Sequence, residues 1–234
     1  MNVPKPPRVN PDSVAQFLAQ IEQHPAPLKS GRGGRLIFAL DATASRQPTW
    51  DTACQLQAEM FTHTRELGQL QVKLCFYRGY AELRSSPWHQ GADKLVQAMS
   101  GVQCQGGQTQ IIRLLEHALR IHKQQPVQAL VFIGDCIEEP IDELCRLAGD
   151  CGLLGLPLFL FQEGHNTDAH NGFQQMARLS HGAHCRFDLQ SPELLSELLR
   201  AIAVYATAGR AALSKLRGSA ALKQLTRQLE HPHP

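Results

Sequence analysis

The sequence predicts an α/β protein with a doubly wound, mostly parallel sheet, one short antiparallel edge strand and helices on both faces. Continuous apolar runs at 36–40 and 129–133 are typical of strands that are buried on both faces. Segments with helical periodicity, mostly of ten or more residues, separate such runs. Strands that alternate with helices favour right-handed crossovers between parallel strands.

After its first strand, the first half of the chain supplies four further predicted elements, two of which form a hairpin. The apolar strand at 36–40 ends in a polar loop, and Pro48 fits the first position of a helix. A second apolar strand follows, and Arg78-Gly79 can turn the chain into a short antiparallel partner at the sheet edge. The predicted elements are the helix 49–66, the strands 71–77 and 80–84, and the helix 91–99.

The second half repeats a strand-and-helix rhythm. The segment 111–121 has strong helical periodicity, and the fully apolar strand 129–133 follows it. The remaining predicted elements alternate in type: the helix 141–151, the strand 156–161, the helix 171–180, the strand 184–188 and the helix 192–207.

Composition sets the broad class of the protein. The 234 residues suit one domain with short appendages, and 43% hydrophobic residues can fill a core. A net charge of +2 gives no strong field toward nucleic acid, and the lack of an apolar run near twenty residues argues against a membrane span. The seven cysteines have irregular spacing without C-x-x-C, which favours reduced thiols. The first ten residues lack a signal-peptide core, so we expect a cytoplasmic protein.

Three regions are predicted along the chain. Residues 1–34 form an N-terminal arm and linker, with four prolines in the first eleven positions and a glycine-rich end. Residues 35–209 form the folded domain. Residues 210–234 form a basic tail whose leucines fall at roughly helical spacing. An amphipathic tail helix could dock on a partner or cover the domain itself.

Polar side chains follow the predicted strands at one edge of the sheet. Asp41, Thr43 and Ser45 come after the first strand, Thr109 follows a glycine-rich loop, and Asp135 follows the strand 129–133. Ligands of open parallel sheets bind at this edge. Two carboxylates and three hydroxyls are hard oxygen donors, which suit Mg²⁺, Mn²⁺ or Ca²⁺ better than zinc or copper. The alternative is that Asp41 and Ser45 only cap the helix after the first strand and that Thr109 caps the next helix.

The stretch Asp41-Ala42-Thr43-Ala44-Ser45 resembles the D-x-S-x-S/T loop of von Willebrand factor type A (VWA) domains, and the resemblance extends over about 35–207. Thr109 and Asp135 match the family's later Thr and Asp. The resemblance implies a Rossmann-like fold with a metal-ion-dependent adhesion site (MIDAS). There Thr43 and Ser45 would bind Mg²⁺ directly, with Mn²⁺ or Ca²⁺ possible. Asp41, Thr109 and Asp135 would bind the metal directly or through water.

Three features depart from the family pattern. Thr43 replaces the usual Ser, and Cys136 stands where the family often has Gly. Glu138 and Glu139 add carboxylates that would tune the site or occupy its open position. The resemblance still implies a bacterial-type binding module, not an enzyme, that recruits an acidic side chain of a protein partner. Intracellular relatives suggest an ATPase- or chaperone-linked complex.

Two other functions stay open. A haloacid-dehalogenase-like phosphohydrolase would use Asp41 as nucleophile, and the stretch from Gly134 to Glu139 is similar to its later acidic motif. That family, however, has an Asp general acid where this chain has Thr43. The third possibility is a metal-independent scaffold that binds partners through its tail and edge strand. The histidines at 181 and 184 lack the paired ligands of a zinc site, and Gly182 is predicted to end a helix.

Overall fold

The described residues of the computed structural model, 34–46, 70–90, 92–187 and 192–208, build one six-stranded sheet. The strand order is β3-β2-β1-β4-β5-β6; β2 and β3 pair antiparallel, and all other neighbours pair parallel. This confirms the predicted fold class. The strands are β1 (Arg35–Asp41), β2 (Gln71–Arg78), β3 (Glu82–Gln90), β4 (Ala129–Gly134), β5 (Leu158–Glu163) and β6 (Ala183–Phe187).

Helices cover both faces of the sheet. They are α1 (Ala92–Ser100), α2 (Ile111–Gln124), α3 (Ile141–Leu154), α4 (Thr167–Leu179) and α5 (Pro192–Ala208), and a 3₁₀ turn (Ala44–Arg46) follows β1. Alternate residues of β1 enter opposite cores because side chains alternate along a strand. Leu36 and Phe38 pack on the side of α1 and α5, whereas Ile37 and Ala39 pack on the side of α2, α3 and α4.

The predicted elements within the described ranges are present, with shifted ends. The edge strand is longer than predicted and starts later, because residues 79–81 form the turn, with Gly79 at a φ of 61°. Helix α4 starts at Thr167 and not at 171, because the Asn166 side chain accepts a hydrogen bond from Ala169 N at 2.9 Å. The predicted helix 49–66, the arm up to residue 33 and the tail lie outside the described residues, and the domain boundaries stay predictions.

Two further findings concern the cysteines and the length of the helices. Every cysteine in the described ranges is a free thiol, in line with the predicted reduced state. None of the helices in these ranges is long and apolar enough to cross a membrane.

The strand order places β1 beside β4, although two strands separate them in the sequence. This is where the sheet order reverses, the place at which open α/β sheets bind ligands. Asp41 ends β1, and Asp135 directly follows β4. Gly134 allows the close packing here, since a Cβ at this position would lie 2.7 Å from the Phe132 ring. The two carboxylates are therefore neighbours at the same strand ends.

Candidate metal centre

The carboxylate of Asp41 is buried and fixed by two hydrogen bonds. Oδ1 accepts from the backbone N–H of Thr43 at 2.8 Å, and Oδ2 accepts from the hydroxyl of Tyr77 at 3.0 Å. The register of β1 and β2, which pairs Asp41 with Tyr77, brings that hydroxyl to the carboxylate. Burial raises the pKa of Asp41 and the charge of Asp135 adds to this, whereas the bonds from Thr43 and Tyr77 oppose it.

The hydroxyls of Thr43 and Ser45 form a close pair of oxygens. Thr43 Oγ1 lies 3.1 Å from Ser45 Oγ; Thr43 is buried and Ser45 is exposed. The loop is held from both sides: Gln105 N donates to Ala42 O at 3.0 Å, and Arg46 N donates to Thr43 O at 3.1 Å. The pair thus extends from the protein interior to solvent, as a site with an outside ligand would need.

Asp135 brings a second carboxylate next to Asp41. One ligand atom each from Asp41, Asp135 and Cys136 lie within 4.8 Å of one another. Among the described residues, the buried Oδ1 of Asp135 has no hydrogen-bond partner. An unpaired buried carboxylate oxygen beside another acid is costly, and a divalent cation would remove both problems. The donor chemistry of the site therefore fits a cation.

The site combines oxygen donors with one thiol, that of Cys136. Burial, reinforced by Asp135 and Asp41, raises the pKa of Cys136 to about 12. The neutral thiol is a poor ligand compared with a thiolate. The two carboxylates and the nearby hydroxyls of Thr43 and Ser45 make oxygen the chief donor, which suits Mg²⁺ or Mn²⁺.

Thr109 is bound to the loop that follows Asp135. Thr109 N donates to Glu138 Oε2 at 2.8 Å, and Glu138 N donates to Thr109 Oγ1 at 3.0 Å. Glu139 accepts from the first backbone N–H groups of α2, Ile111 at 2.6 Å and Ile112 at 2.8 Å. The two glutamates thus order the start of α2. The helix has Gln110 at its N-cap without a side-chain cap, so Thr109 is not that cap.

A buried guanidinium, that of Arg46, directly follows the loop of Asp41, Thr43 and Ser45. Arg46 is only 1% exposed, and its guanidinium forms an ion pair with Glu163 at the end of β5. Burial lowers the pKa of Arg46, and the charges of Asp135 and Asp41 oppose that loss. The sequence motifs do not single out Arg46, Tyr77 or Glu163. All three are polar residues at or just beyond the end of an apolar strand, the signal that identified Asp41 and Asp135.

Comparison with known proteins supports the fold. No protein-family model and no curated protein matches the sequence. The VWA domain of SpRpn10 aligns with a TM-score of 0.57 at 15% identity, over 71% of this chain and 94% of that domain. The chain has the fold of a VWA domain. At this identity the likeness extends to the fold alone.

Two further VWA-fold neighbours are parts of longer proteins. The pilus adhesin SpaC of Lactobacillus rhamnosus GG aligns with a TM-score of 0.60 at 9% identity, over 82% of this chain and 31% of the adhesin. Proximal thread matrix protein 1 of the mussel byssus aligns at 0.58 and 14% identity, over 75% of this chain and 47% of that protein. The mussel protein has a zinc-occupied MIDAS motif.

Within this VWA-like fold, the predicted site residues form two groups. Asp41 and Asp135 are neighbours, and the hydroxyl of Thr43 lies beside that of Ser45. The hydroxyl of Thr109 is joined to the loop after Asp135 through Glu138. That all five hold one ion stays a prediction. Elsewhere in the described ranges, no other group of three His, Cys, Asp or Glu side chains has this spacing, which includes the region of His181 and His184.

Proposed function

We propose that this VWA domain binds a divalent cation at the carboxyl ends of β1 and β4, and uses it to recruit a carboxylate of a protein partner. The observation that carries the proposal is the buried, unpartnered Oδ1 of Asp135 beside the carboxylate of Asp41. The exposed Ser45 gives a partner access to the same loop. Mg²⁺ is the expected ion, with Mn²⁺ or Ca²⁺ as alternatives.

The cation would be held by Asp41, Thr43, Ser45, Thr109 and Asp135. It would supply a Lewis-acidic position for an outside carboxylate oxygen, because few protein ligands leave room in a six-oxygen shell. Two carboxylates balance a divalent charge, and the Arg46–Glu163 pair adds none. The expected setting is the cytoplasm, beside an ATPase or chaperone complex.

Binding is favoured over phosphohydrolase chemistry by the residue at position 43. Position 43, where that enzyme family has its general acid, holds a Thr whose hydroxyl faces Ser45. We therefore propose a binding module without catalytic residues.

The cation is tested by titration calorimetry of the full chain with Mg²⁺, Mn²⁺, Ca²⁺ and Zn²⁺. We expect Asp135→Asn to weaken Mg²⁺ binding about tenfold or more, because it removes one negative charge from a poorly solvated site. Asp150→Asn is the matched control, since Asp150 makes an exposed ion pair with Arg146 on α3. Wild-type protein that binds none of the four ions, or equal binding by the Asp135 variant, would contradict the proposal.

The partner is tested by affinity capture from lysate with the wild type and Asp135→Ala, each in Mg²⁺ and in EDTA. We expect a set of proteins that only the wild type captures in Mg²⁺. If the same proteins appear under all four conditions, binding through the cation is wrong. Capture without dependence on metal or on Asp135 would favour the scaffold function through the tail or edge strand.

A further inference from the structure

The ion pair of Arg46 and Glu163 spans the metal-binding edge of the sheet. Arg46 lies on the turn after β1, Glu163 ends β5, and β4 with Asp135 lies between those two strands. Arg46 is almost completely buried, and the side chain of Glu163 is 13% exposed. The path from the turn after β1 to the end of β5 therefore crosses the end of β4, and the charges of Asp135 and Asp41 both act on the guanidinium.

We propose that the Arg46–Glu163 pair sets the cation affinity of this site by fixing its net charge. Arg46 and Glu163 are positioning residues here, not ligands, and the inference rests on the proposed function. Apart from Glu138 and Glu139, which accept hydrogen bonds from backbone N–H groups at the start of α2, four charged groups contribute: the carboxylates of Asp41, Asp135 and Glu163, and the guanidinium of Arg46. Their formal charges leave two negative charges, the complement of one divalent cation.

Because the site is buried, a change in its net charge should change its affinity for the cation. Charges excluded from water are screened weakly, so a change of one unit beside the site reaches the cation. An arginine keeps its charge at all working pH values, so Arg46 acts as a permanent positive charge. Glu163 compensates that charge. Without the Glu163 carboxylate, the guanidinium would be attracted mainly to Asp135 and would compete with the cation for that carboxylate.

The two partners should therefore affect binding in opposite directions. Glu163→Gln keeps the size of the side chain and leaves one negative charge at the site, so Mg²⁺ should bind about tenfold or more weakly. Arg46→Met leaves three negative charges, so Mg²⁺ should bind more tightly than to the wild type. The double variant restores two negative charges and should bind within about threefold of the wild type, since the paired effects cancel.

The test is titration calorimetry of the full-length wild type and these three variants with Mg²⁺ and Mn²⁺. Circular dichroism in EDTA shows which variants are folded. A pair that only holds the loop in place would weaken binding in both single variants and in the double variant, and this result would overturn the inference. Equal affinity of the wild type and Glu163→Gln would overturn it too.

The sign of the change keeps the test decisive if one variant does not fold. Tighter binding by Arg46→Met alone, or weaker binding by Glu163→Gln with recovery in the double variant, supports the inference. Weaker or unchanged binding by Arg46→Met overturns it. A wild type that binds no cation overturns the proposed function and this inference together, whereas a wild type that binds while the variants do not follow these signs overturns the inference alone.

Discussion

The hydroxyl of Tyr77 adds to the hydrogen bonds of the loop in favouring the ionised form of Asp41. It lies on the neighbouring strand and donates to the buried carboxylate at 3.0 Å. Tyr77 is itself fully buried, and burial together with the Asp41 charge raises its pKa well above the usual range. Tyr77 therefore stays protonated and remains a donor.

Tyr77→Phe should destabilise the protein because it leaves one oxygen of Asp41 buried without that donor. We expect the free energy of unfolding in EDTA at pH 7 to fall by about 2 kcal/mol. The lost bond favours the ionised form of Asp41, so its removal raises the pKa of Asp41 further above its unfolded value. The loss should therefore be largest above the folded pKa of Asp41 and shrink as the pH falls below it.

Urea denaturation at pH 7 and in acid measures both effects. Tyr80→Phe is the matched control, since the Tyr80 side chain is 77% exposed near the same strand end. A Tyr77→Phe variant as stable as this control, or a loss that grows in acid, would contradict the role given to Tyr77.

Local patterns predict the positions of single residues better than their partners. Asp41 and Asp135 follow from apolar runs that end in acids, and the structure makes them neighbours. Tyr77, by contrast, becomes a partner of Asp41 only through strand register. Gly182 was expected to end helix α4, but Ser180 is the C-cap and His181 takes the left-handed φ of 56°. Gly182 is needed for another reason: a Cβ there would lie 1.8 Å from Leu158 O.

At the scale of elements, helix α2 depends on a loop that is distant in sequence. Its first N–H groups bind Glu139, and Thr109 before it exchanges two hydrogen bonds with Glu138. Helical periodicity predicts α2 because that signal lies within the segment. It cannot predict the cap, because the cap belongs to the β4–α3 loop and depends on the strand order. The two glutamates therefore hold Thr109 and the start of α2 in place.

Glu139→Gln should loosen the start of α2 and, with it, the loop of Thr109. The variant loses the negative charge that lies at the positive end of the helix. It also keeps only one of the two side-chain oxygens that accept hydrogen bonds from the N–H groups of Ile111 and Ile112. We expect a loss of about 1 kcal/mol in the free energy of unfolding and weaker Mg²⁺ binding. Glu116→Gln, on the exposed middle of α2, is the control for charge alone. Equal unfolding and binding curves for the two variants would show that Glu139 does not order this site.

At the scale of the whole molecule, alternation of strands and helices predicts the doubly wound class but not the strand order. The class follows because each apolar strand needs helices on both faces. The order, with β1 beside β4, brings residues from distant parts of the chain to one edge. The resemblance to VWA domains predicts that Asp41, Thr109 and Asp135 converge there, and the structure makes Asp41 and Asp135 neighbours. It did not anticipate the Arg46–Glu163 pair, which requires β5 to lie on the far side of β4.

Because the site exists only when β1, β4 and the Thr109 loop meet, cation binding should stabilise the entire fold. The unfolded chain holds the two carboxylates far apart, so it should bind Mg²⁺ poorly. A ligand that binds only the folded state adds about 2.7 kcal/mol to the free energy of unfolding at a hundred times its Kd. We expect Mg²⁺ to raise the urea midpoint of the full chain relative to EDTA. Sodium chloride at matched ionic strength should not do so, and Asp135→Asn should abolish the shift. Equal midpoints in saturating Mg²⁺ and in EDTA would mean that these strand ends do not form a cation site in the folded protein.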